Sequence, residues 1–138
     1  MAEERAGEVT DVRSVGRINR EIYRCITDDI ASDDVIITGK QIQHILARHP
    51  GDYERIAPFF DEALRAPDYI LEDEKHPANT GLILKLIRGN GVRFQMVLRL
   101  KTSSDPTAYK SSVISAWCIN EDRWNNYVNN KTILYKRE

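Results

Sequence analysis

Apolar and polar positions change their period along this chain. In "VGRINREIYRCI" the apolar positions are Val15, Ile18, Ile22, Cys25 and Ile26. That spacing fits an amphipathic helix or a strand–turn–helix and does not choose between them. "DDVIIT" is a short β-rich run behind an acidic turn. Thr38 to Gln41 reads T-x-x-Q, a capping box that starts a helix at Thr38. Ile42, Ile45, Leu46 and His49 follow one face of that helix, and Pro50-Gly51 stops it. Asp52 is then placed to cap a short helix through Ile56, and Pro58 suits the first turn of a third, "PFFDEALRA".

After Pro67 the period shortens towards two. "DYILED", "GLILKLI", "VRFQMVLRL", "KSSVISAWCI" and "TILYK" read as strands, and "RGNG" is a hairpin turn between the second and third. "VRFQMVLRL" alternates cleanly: Phe94, Met96, Leu98 and Leu100 lie on one face, Arg93, Gln95, Val97 and Arg99 on the other. "EKHPANT" and "KTSSDPTAY" are loops, and Asn120 caps a short helix, "EDRWNNYVNN". This order predicts an α+β fold, with N-terminal helices packed on one face of a twisted antiparallel sheet of about four or five strands. The other face stays partly open and carries Lys85, Arg93, Gln95, Arg99 and Ser115. A sheet face lined with cations and hydroxyls is a cradle for a phosphate.

A length of 138 residues suits one domain over residues 15–138, preceded by a flexible segment over 1–14. The longest apolar runs, such as "VII" and "ILY", are too short to cross a bilayer, so no membrane partner is expected. The N-terminus "MAEERAGEVTDV" has no apolar h-region, which makes the cytoplasm the expected location. Cys25 and Cys118 belong to no CxxC and read as free thiols filling core space. The acidic pairs Asp28-Asp29 and Asp33-Asp34 and the run Glu72 to Glu74 sit at turns and read as solvated loops. No P-loop, GxGxxG, GxSxG or HExxH occurs. Neither a metal site nor a cofactor is therefore expected.

Charge is uneven. Residues 1–84 hold 10 Lys+Arg against 17 Asp+Glu, a net of −7, and residues 85–138 hold 10 against 4, a net of +6. The basic half is either an anion-binding surface or the counterpart of the acidic half across the fold.

Two of the three histidines lie in "QIQHILARHP". Five residues on a helix turn through about 500°, so His44 and His49 point roughly 140° apart and cannot clasp one metal ion. His49 precedes Pro50, and a residue before proline is pushed out of α geometry. Its side chain can therefore swing towards a shared cleft. Histidine suits proton transfer near neutral pH. The bland alternative has His49 packed at a helix end and His44 solvated. His76 reads as a loop residue. Cleaving RNA without a metal needs a base for the 2′-hydroxyl, an acid for the leaving 5′-oxygen and positive donors for the phosphoryl oxygens. Lys85, Arg99 and Lys101 fit the donor role and Ser115 adds a hydroxyl. Trp117 shares a sheet face with Ser115 and can stack on a base, whereas Trp124 reads as core.

"REIYRCITDDI", "DDVIITGKQIQHILARHPGDYE", "PDYILED", "LILKLI", "VLRLKTSSDP", "YKSSVISAWCIN" and "NNKTILYKRE" together resemble small nuclease-like proteins of phages and mobile elements. These are grouped with barnase, EndoU, the tRNase colicins and RelE as the BECR fold. The resemblance runs from about Val15 to Glu138. It implies a metal-independent ribonuclease, often a toxin or phage-conflict effector, with its site on the sheet's open face. The family's helix-borne histidines match His44 and His49, its basic strand residues match Lys85 and Arg99, and its small hydroxyl residue matches Ser115.

The expected function is an endoribonuclease that leaves a 2′,3′-cyclic phosphate. His44 and His49 share the acid and base roles. Lys85 and Arg99 stabilise the transition state, and Ser115 orients a phosphoryl oxygen. Lys101, Trp117, Arg93 and Gln95 bind substrate. The expected partners are RNA, with tRNA a candidate, and an acidic antitoxin or immunity protein. The alternative is a non-catalytic RNA- or protein-binding module on the same fold.

Overall fold

The computed structural model describes residues 11–138. Most of the expected flexible segment, residues 1–10, lies outside that range, and Val12–Ser14 belong to the first strand. The strands are β1 (Val12–Arg17), β2 (Asp34–Thr38), β3 (Tyr69–Glu72), β4 (Thr80–Ile87), β5 (Val92–Arg99), β6 (Ser111–Cys118) and β7 (Ile133–Lys136). The α-helices are α1 (Arg20–Tyr23), α2 (Gly39–Arg48), α3 (Asp52–Ile56), α4 (Phe60–Arg65) and α5 (Glu121–Asn130), with a 3₁₀ turn at Ala57–Phe59.

One sheet holds all seven described strands in the order β1-β2-β6-β5-β4-β3-β7. Its pairings are antiparallel except β2 with β6, which run parallel over Val35↔Ser111 and Ile36↔Ser112. The expected architecture of N-terminal helices on a four- or five-stranded antiparallel sheet is therefore corrected. The five C-terminal strands form as read. "VRSVGR" and "DVIIT" add two more, and the parallel pair makes the sheet mixed. Strand–turn–helix is the outcome for the ambiguous first segment, where the Asn19 side chain caps α1.

The helices do not form one N-terminal layer either. α2, α3 and α4 contribute Ile42, Ile45, Ile56, Phe60, Ala63 and Leu64 to the larger core, against Ile83, Phe94, Met96, Leu98 and Val113 of the sheet. The opposite sheet face carries a second apolar cluster of Leu71, Leu82 and Leu84, covered by Trp124, Tyr127 and Val128 of α5. The open face is thus narrower than the sequence suggested. Among the described residues no helix is long and apolar enough to cross a membrane.

Local chemistry fixes the element that matters most. The Thr38 hydroxyl accepts from the Gln41 backbone at 3.1 Å, and the Gln41 side chain accepts from the Thr38 backbone at 3.0 Å. The capping box thus starts α2 where the sequence places it.

Candidate active site

α2 ends by steering one histidine out of the helix. His49 has φ −136° and ψ 68°, well outside α geometry, as a residue before proline requires. Gly51 then takes φ +85°, a left-handed conformation that glycine adopts without penalty. α3 begins directly after it. The cap position is Gly51 rather than the expected Asp52, whose carboxylate accepts from the Cys118 backbone N–H at 3.0 Å. That bond satisfies a strand donor beyond the point where β2 stops pairing with β6. It also ties the α2–α3 turn to the end of β6.

The result is a stack. The His49 and Trp117 rings lie 4.8 Å apart at their centroids and 16° from parallel. Beside them opens a cleft of about 310 Å³ lined by His49, Trp117, Cys118, Ile119, Asn120 and Arg123. Burial, and then the negative Asp52, raise the Cys118 thiol above its ordinary value, so it stays protonated near neutral pH. Gln95 sits directly across from Trp117 on β5 and is buried, and its Oε1 has no hydrogen-bond partner among the described residues. Arg93 lies at the same end of β5. Its guanidinium is 3.8 Å from Glu121, and its carbonyl accepts from the Ile119 N–H at 3.0 Å. Asn120 caps α5 through the Arg123 N–H at 2.7 Å, which holds the base of the Arg123 side chain at the cleft wall.

The remaining candidates divide by face and by strand end. Ser115 pairs with Val97, two positions along β6 from Trp117, so it shares their face and is buried. Arg99 lies four residues from Gln95, roughly 13 Å along β5. It is engaged there by Asp105, with bonds of 3.2 and 2.9 Å, and lies 4.4 Å over the Tyr109 ring. Lys101 donates to the Thr107 carbonyl at 2.7 Å and so braces the same loop. His44 is exposed on α2. Lys85 pairs with Phe94, which puts it on the helix-covered face. It is 1% exposed, donates to the Ala66 carbonyl at 2.7 Å and lies 3.4 Å from Glu62.

The structure therefore brings His49 and Trp117 together, with Gln95, Arg93 and Ser115 on the same sheet face. It does not bring His44, Lys85, Arg99 or Lys101 to them. Asn120 and Arg123 also line the cleft, although the sequence marks Asn120 only as a helix cap. No local pattern marks Arg123, because the packing of α5 on Leu71, Leu82 and Leu84 sets where its first turn lies. His76 lines a separate cleft with Asn79, Thr80 and Arg99. The charge halves pair in part across the fold, since Arg88 and Arg137 both approach Asp68, at 3.9 and 3.5 Å.

Comparison with family models matches residues 10–136 to the phage-Barnase-EndoU-ColicinE5/D-RelE like nuclease2 description. No match is found among curated proteins or among solved structures.

Proposed function

The chain belongs to the phage-Barnase-EndoU-ColicinE5/D-RelE like nuclease2 family, and from that premise we propose that it cleaves RNA at the His49–Trp117 cleft without a metal. One observation carries the reading: a histidine released from its helix is held flat on a tryptophan, beside an arginine, on the open face of the sheet. His49 takes the proton of the attacking 2′-hydroxyl, which closes onto phosphorus and expels the 5′-oxygen, and that leaving oxygen takes its proton from solvent water in the cleft. Arg123 offsets the charge that grows on the phosphoryl oxygens. Trp117 and Gln95 set the base and sugar against His49, and the product carries a 2′,3′-cyclic phosphate. His44, Lys85 and Arg99 have no part in this version of the site.

A second reading, a binding module that does not cleave, is favoured by one fact. Of the five residues expected to be catalytic, only His49 lines the cleft. Incubating the purified protein with RNA in EDTA separates the readings. Fragments ending in 2′,3′-cyclic phosphate support cleavage. Intact RNA that nevertheless shifts on a gel supports the binding module, and cleavage that stops in EDTA contradicts the metal-free mechanism.

A further inference from the structure

Helix α5 carries Arg123, Tyr127 and Lys131 at four-residue steps, with Lys131 at its C-terminal cap. Such a spacing lines up as one stripe, each step rising about 6 Å. The stripe alternates cation, aromatic, cation. The Arg123 guanidinium carbon lies 5.9 Å from the Tyr127 ring centroid, and the Lys131 ammonium lies 5.3 Å from it. Tyr127 is half-buried because part of it packs against the cluster of Leu71, Leu82 and Leu84. Its remaining surface lines a second cleft with Asn120, Asp122, Arg123 and Asn126. Asn120 and Arg123 line both this cleft and the one at His49, so Arg123 stands as the wall between neighbouring sites. Other arginines of the basic half are differently committed: Arg88, Arg93, Arg99 and Arg137 each lie within 4 Å of a carboxylate.

We propose that the Arg123–Tyr127–Lys131 stripe is a second nucleotide subsite, which takes the nucleotide next to the one at His49 in a single strand. The base stacks on Tyr127, Arg123 holds the phosphate that joins the two nucleotides, and Lys131 holds the next phosphate outward. An aromatic platform between backbone-tracking cations is how proteins bind single strands with little sequence preference. Asn126 offers an amide to the base edge, and Asp122 is the carboxylate of this cleft, on the side away from Lys131. The inference rests on reading the His49 cleft as an RNA site.

The test is fluorescence anisotropy with a labelled single-stranded DNA ten-mer, which lacks the 2′-hydroxyl and cannot be cleaved by this chemistry. Tyr127→Leu is expected to weaken binding about tenfold, while Tyr127→Phe, which keeps the ring, binds as the wild type does. Lys131→Gln is expected to reduce the slope of log K against log salt by about 0.7, the release of one counterion from a single strand. Lys131 sits at the helix end, so this variant decides the matter even if Tyr127→Leu does not fold. Wild-type affinity in a folded Tyr127→Leu, or an unchanged salt slope in Lys131→Gln, overturns the subsite. A wild-type protein that does not bind the ten-mer overturns it too. If RNA is not cleaved but the Tyr127 and Lys131 effects persist, the subsite stands and the catalytic reading alone fails.

Discussion

The His49 imidazole lies flat against the Trp117 indole, joining the last turn of α2 to the last turn-out of β6. Offset aromatic contact of this kind contributes about 1 kcal/mol beyond area burial, enough to hold one histidine orientation. Trp117→Leu removes the ring while keeping apolar bulk. Its expected effect is a fall of about tenfold in kcat/KM on an oligoribonucleotide, the usual worth of one stacking contact. A kcat/KM equal to that of the wild type, in a variant with unchanged Tm, would show that the stack does not serve the reaction.

Gly51 permits the turn that releases His49. Its φ of +85° strains any side chain, and a Cβ there meets nothing within 4 Å. Gly51→Ala therefore isolates a backbone cost of roughly 1–2 kcal/mol. A urea midpoint unchanged from wild type would mean that the turn relaxes at no cost.

Lys85 separates a structural cation from a catalytic one. It lies in the core with its ammonium on the Ala66 carbonyl, near Glu62. Lys85→Met keeps the bulk and drops the charge. It is expected to retain cleavage and to lower stability by about 1–3 kcal/mol, because the Ala66 carbonyl loses its buried donor. A folded Lys85→Met that no longer cleaves RNA contradicts this assignment.

Asp105 gives a pH-dependent test of the Arg99 clamp. The Arg99 hydrogen bond, and then the Thr102 backbone, hold its carboxyl at about 2, below its ordinary 3.8. Because the folded value is the lower one, the stabilisation is fully present above about pH 4 and is lost as pH falls towards 2. Asp105→Asn is expected to lower stability at neutral pH and to flatten the decline of the urea midpoint between pH 4 and 2. An identical decline in both proteins would show that the pair contributes nothing.

Much of this was legible in the sequence wherever a local rule decides. The Thr38/Gln41 capping box, the Asn120 cap, the departure of His49 before Pro50 and the alternation of β5 each depend on neighbouring residues. They stand in the structure as read. Lys85 was misplaced because β4 is buried on both faces apart from Leu86. A strand buried on both sides shows no alternation that could orient it. The sheet's true width was hidden for a different reason. Its parallel join spans only two residue pairs between segments more than 70 positions apart, and no local pattern announces such a contact. Arg123 reaches the cleft only because α5 folds back over the sheet, so its role belongs to tertiary structure.

In the proposed reaction His49, not His44, moves the proton. The most direct measurement compares cleavage rates of one oligoribonucleotide, in EDTA, by the wild type, His49→Gln and His44→Gln. The expected result is a loss of at least about 100-fold for His49→Gln, the usual share of general acid–base catalysis, with His44→Gln within about threefold of the wild type because that side chain is exposed on α2. Equal losses in both variants, or full activity in His49→Gln, would contradict it.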